Sequence, residues 1–169
     1  MKYLPIILFM LFPSLIFAQS EAAKKAYEEG KIFNAQKEHD KAIASYTEAI
    51  NLDPDYADAY DRRAFIYYLY KEDYAKAIAD CNVVIRLEPE GSYGYSSRGK
   101  VYFAMKRFSD AIKDYTEAIR LRPDHGSHYS SRAEIYEAAN QRDLALADLN
   151  KVIELEPKDY SYWERARFY

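Results

Sequence analysis

Residues 92–124 read SYGYSSRGKVYFAMKRFSDAIKDYTEAIRLRPD, and the punctuation of this stretch decides the fold. Apolar or small residues fall three and four apart: Tyr95, Gly99 and Tyr102 in the first half, Ala111, Tyr115 and Ala118 in the second. That is the period of an α-helix and not of a strand. The two halves are separated by KRFSD at 106–110. Pro123 stops the second, because its ring lacks an N–H and restricts the residue before it. The stretch is a helix, a tight turn and a helix.

Moving outward, the same ending returns as NLDPD with Pro54, RLEPE with Pro89 and ELEPK with Pro157, so that consecutive prolines stand 35, 34 and 34 residues apart. The longer interval reflects LYKEDY, whose turn has one residue more than that of AMKRF. The repeats run over about 22–56, 57–91, 92–125 and 126–159, with a half-repeat at 160–169. Ordering one repeat of ~34 residues costs on the order of 50 kcal/mol, more than a lone helical hairpin can offset by burial, so the repeats must stack. Small residues are expected where the helices of a hairpin approach most closely, with Gly30, Ala64, Gly99 and Ala133 facing Ala42, Ala77, Ala111 and Ala145.

An arginine stands beside each of the last three of those small residues: Arg63, Arg98 and Arg132, with Arg165 in the half-repeat and Glu29 in the first repeat. The second helices carry Asp80, Asp114 and Asp148, and the first repeat has Ser45 instead. The two charges come and go together. In an antiparallel pair, Arg98 lies at the level of Asp114 just as Gly99 lies at that of Tyr115. The pattern predicts ion pairs Arg63–Asp80, Arg98–Asp114 and Arg132–Asp148 at the edge of the core, since buried charges are paired. The alternatives are an Asp148–Arg165 pairing and arginines that hold an acidic ligand.

The first residues differ from the rest. MKYLPIILFMLFPSLIFAQS has Lys2, an apolar run from Tyr3 to Phe17, then Ala18 before polar Gln19 and Ser20. This reads as a secretory signal peptide, residues 1–18, and as export to a periplasm or the exterior. The competing reading is an uncleaved anchor, which wants about 20 apolar residues; this run is shorter and contains Pro5 and Pro13. After cleavage 23 basic residues (24 less Lys2) face 27 acidic ones, a balance that argues against nucleic acid or anionic lipid as the main partner. No membrane span is expected in the mature chain.

The 169-residue chain has a single cysteine, Cys81, in the slot that Tyr46, Tyr115 and Leu149 fill, which makes it a core residue rather than a nucleophile. His125 and His128, with Asp124 beside them, fall in a loop between repeats and are expected to be solvated rather than metal-bound; His39 stands alone in a turn. No phosphate-binding glycine loop, zinc-spaced cysteines or nucleophile elbow is present. The expectation is a protein without catalytic residues, cofactor or metal.

The spacing resembles the tetratricopeptide repeat, W-x2-L-G-x2-Y, then A-x3-F, then P, over 34 residues. It is matched by Tyr95, Gly99, Tyr102, Ala111, Tyr115 and Pro123, by Tyr60, Ala64, Tyr67, Ala77, Cys81 and Pro89, and by Tyr129, Ala133, Tyr136, Ala145, Leu149 and Pro157. Ala26, Gly30, Phe33, Ala42, Tyr46 and Pro54 match more loosely. The resemblance implies an all-α protein, a right-handed α-solenoid of antiparallel helix hairpins over residues 20–169. It also implies a concave groove, lined by the first helices, for a peptide or partner protein. Counting around those helices puts Tyr27, Lys31, Asp58, Asp61, Phe65, Tyr68, Tyr93, Lys100, Phe103 and Glu134 on that face. The family's carboxylate clamp is not supported: its places hold Tyr27, Lys31, Arg62, Tyr93 and Ser97, of which only two are basic. The expected function is a non-enzymatic interaction scaffold; the alternative is a self-assembling subunit joined through Tyr162, Ala166 and Tyr169 of the last helix.

Overall fold

The computed structural model describes residues 4–157 and 165–166, with side chains from Ser20 onward. Eight helices follow one another: α1 (Leu4–Ala35), α2 (His39–Leu52), α3 (Ala57–Leu69), α4 (Tyr74–Leu87), α5 (Ser92–Ala104), α6 (Phe108–Leu121), α7 (Gly126–Ala138) and α8 (Arg142–Leu155). Pro54, Pro89, Pro123 and Pro157 each stand two residues beyond a helix end, after the residue whose N–H closes the last turn: Asp53, Glu88, Arg122 and Glu156. The turn after α3 spans four residues where the other three first-helix turns span three. Most of the half-repeat, Tyr160, Tyr162 and Tyr169 included, lies outside the described residues. Among the described residues no helix is long and apolar enough to cross a membrane.

The short turns share a device. Glu38 N–H donates to Phe33 O and Lys37 N–H to Asn34 O, a pair repeated by Arg107 and Lys106 and by Gln141 and Asn140. This reverses the chain after a helix and forces one residue into the left-handed region. Lys37, Lys106 and Asn140 sit there at φ 62°, 57° and 56°.

The chain divides into two compact units, Met1–Glu72 and Asp73–Tyr169. In the first, α1, α2 and α3 bury Ala26, Tyr27, Ala42, Tyr46, Ala49, Ile50, Ala59 and Ile66 together. In the second, Ala111 and Tyr115 of α6 close on Ile135 of α7, and Ala133 packs with Ala145 and Leu149. The two glycines among the small residues meet a tyrosine ring as well: a Cβ on Gly30 would stand 2.6 Å from the Tyr46 ring, and one on Gly99 2.9 Å from Tyr115, so each glycine makes room for the ring above it. Where the facing residue is the shorter Leu149, Ala133 fits. Ile66 of α3 packs into the cluster of the α1–α2 hairpin and Ile135 of α7 into that of α5–α6, each at most 1% exposed.

Candidate functional site

In the first unit the faces of α1 and α3 carry six of the residues marked by the helical count. Tyr27 belongs to the core, not to an open face: it is 8% exposed and its ring packs on Tyr46 and Tyr56 at 5.7 and 5.0 Å. Its hydroxyl accepts a hydrogen bond from Arg62, which raises the guanidinium above its ordinary pKa. Lys31 is exposed, paired with Glu28 at 2.8 Å, and its ammonium lies 5.6 Å from the Tyr27 ring. Asp58 is exposed, while Asp61 and Tyr68 are half-buried. Phe65 is 42% exposed and meets Tyr70 edge-on at 6.1 Å. Tyr70 in turn stacks on His39 at 3.7 Å. Reading His39 as an isolated turn residue missed this aromatic cluster, because its partner comes from the end of another helix.

In the second unit Tyr93, 55% exposed, is flanked by the Arg122 guanidinium, whose Nη1 is 3.4 Å from the tyrosine oxygen. Lys100 and Glu134 are exposed on α5 and α7. Phe103 departs from expectation: it is half-buried, 6.0 Å from Phe108, and packed against the Ala111–Tyr115–Ile135 cluster. Its α5 position borders the next hairpin, so removing it costs stability as well as surface.

His128 is not a loop residue. It lies in the first turn of α7, 3% exposed, with Nε2 3.3 Å from Ser92 Oγ. Cys81 is a buried free thiol. Among the described residues no group of three or more His, Cys, Asp or Glu is placed to hold a metal.

The arginines form a ladder along the second unit. Arg98 donates to both carboxylate oxygens of Asp114 at 2.8 and 2.7 Å, and Arg132 does the same to Asp148. Each also reaches back across its helix: Arg98 Nη1 donates to Asn82 at 2.6 Å and Arg132 Nη1 to Thr116 at 2.9 Å. Tyrosines three before and four after flank each guanidinium at 5.7 to 5.9 Å. One residue thus ties its own hairpin to the preceding helix. Arg165 makes the same backward bond, its Nη1 donating to Asn150 at 3.2 Å. In the first unit Arg63 Nη1 donates to Thr47 at 2.9 Å. Arg63 and Asp80 fall in different units. The pairing leaves Arg98 and Arg132 committed to structural partners rather than open to a ligand.

Repeated helical hairpins of fixed length, stapled by a periodic side-chain ladder, define an all-α repeat solenoid. Family models described as TPR repeat and tetratricopeptide repeat match residues 30–70, 92–125 and 129–159. The chain is 30% identical to the first TPR of Spaghetti (RPAP3) bound to an HSP90 peptide, covering 72% of this chain and 95% of that one with a TM-score of 0.67. The human RPAP3 domain is 29% identical and the Arabidopsis OM64 TPR domain 25%, the latter covering 71% of this chain and 98% of its own with a TM-score of 0.66. A MamA structure from Desulfovibrio magneticus RS-1 shares the fold at 18% identity, with a TM-score of 0.73 over 81% of this chain and 77% of that one. No curated protein matches the chain. The chain belongs to the tetratricopeptide repeat family, a family of protein-interaction modules.

Proposed function

We propose that this protein is an exported, non-enzymatic scaffold that captures a peptide or partner protein on the exposed faces of its first helices. The observation that carries the reading is the placement of apolar surface. Phe65, Leu69 and Tyr93, 42 to 55% exposed, lie on α3 and α5, whose other large apolar residues are buried or half-buried. Large rings left in water at no gain to the core favour a partner that covers them. The similarity to an RPAP3 domain that holds an HSP90 peptide supports a peptide as the kind of partner. The clamp chemistry for a carboxylate terminus does not carry over, because Lys31 and Arg62 alone are basic at its places and are engaged by Glu28 and Tyr27.

The test is affinity capture from the compartment into which the protein is exported, with wild type beside Phe65→Ala/Tyr93→Ala. Loss of a specific partner with unchanged helical content and melting temperature supports the reading. Undiminished capture by the folded double variant refutes it. Export rests on the apolar leader, and intact mass of the released protein is expected to show a chain that begins at Gln19; a product retaining Met1 to Ala18 overturns it. Light scattering addresses self-assembly, which requires a concentration-dependent mass above that of one chain.

A further inference from the structure

The α5–α6 and α7–α8 hairpins meet at a residue unlike its counterparts. The third position of the first helix is Ala59 in α3, Gly94 in α5 and His128 in α7, all buried. Where two repeats place a residue too small to titrate, the last places an imidazole. From α5, Ser92 Oγ lies 3.3 Å from its Nε2 and is itself 1% exposed. From α6, the Tyr115 ring lies 6.4 Å away, and His125 at the start of α7 meets it edge-on at 4.4 Å. The charged groups acting on it are His125, Lys100 of α5 and Arg122 at the end of α6. Beyond α8, Glu156 Oε1 lies beside Gly126, 3.2 Å from where a Cβ on that glycine would stand. A proton added to His128 therefore creates a buried charge in a setting dominated by cations.

We propose that His128 is an acid-released latch, its protonation freeing the α7–α8 hairpin from the α5–α6 hairpin while each keeps its own helical pair. Burial first, and then repulsion by His125, Lys100 and Arg122, pushes the packed imidazole down to about 4 from an ordinary 6.5. The released hairpin takes up a proton that the packed one refuses. Between pH 7 and pH 5 the release equilibrium rises roughly twentyfold by linkage. Release carries Glu134 away from Tyr93 and Lys100, so partner capture by this unit becomes acid-sensitive.

The experiment is native-state hydrogen exchange on the full chain at pH 7 and pH 5, corrected for intrinsic exchange. The expected result is a roughly twentyfold loss of protection confined to α7 and α8 in the wild type, absent in His128→Gln and in His128→Ala. Unchanged wild-type protection, or variants that keep the full pH dependence, overturns the latch. The imidazole resonances of the wild type give a check that needs no variant: His128 titrating near its ordinary value overturns the proposal, and titration depressed below about 5 supports it.

Discussion

Cutting one rung of the arginine ladder in the second unit tests whether it is structural. Asp114 is 8% and Arg98 22% exposed at the side chain, and two charge-assisted bonds join them. Asp114→Ala leaves the guanidinium with Asn82 and two tyrosine rings at the edge of solvent, a loss of about 3 kcal/mol, the lower end for removing one partner of a buried pair. Arg98→Ala leaves the more deeply buried carboxylate without its cation, about 4 kcal/mol. Removing both leaves no orphaned charge, so the double variant loses about 4 kcal/mol rather than the sum, a coupling of about 3 kcal/mol. Urea unfolding followed by far-UV circular dichroism on the four proteins of the cycle measures this. A coupling below about 0.5 kcal/mol, the scatter of independent sites, refutes the pairing. Asn82→Ala, which cuts only the backward bond, is expected to cost about 1 kcal/mol.

Gly30→Ala drives a methyl into the packed Tyr46 ring and is expected to destabilise by about 1–2 kcal/mol, the clash outweighing the gain in helix propensity; unchanged urea midpoints would contradict it. Lys106→Gly removes a side chain from a left-handed position and is expected to stabilise by about 0.5–1 kcal/mol in the same assay. Burial pushes the Tyr46 phenol up to about 12, so the stability it contributes is full below pH 10 and is lost as pH rises through that value. The loss reaches about 2–3 kcal/mol in alkaline unfolding curves and is missing in Tyr46→Phe. Capture by the Phe65→Ala/Tyr93→Ala variant, and hydrogen exchange of the His128 variants, complete the set.

The sequence by itself determined what depends on neighbours along the chain. Helical period, proline stops and turn lengths are local, so the hairpins and their boundaries at Ala57, Ser92 and Gly126 were legible. The match of Arg98 and Arg132 to Asp114 and Asp148 was legible for a related reason, since antiparallel helices joined by a short turn can meet in only one register. Tertiary structure decided everything that lies between hairpins. The backward bonds to Asn82 and Thr116, the burial of Ile135, the half-burial of Phe103 and the enclosure of His128 all depend on how one hairpin rotates against the previous one. That rotation is set by the summed packing of many side chains and has no signature within a single repeat. The candidate surface divides along the same line: exposed Phe65 and Tyr93 could be found by counting around a helix, whereas the core position of Tyr27 and the stacking of His39 on Tyr70 required the neighbouring helices to be in place.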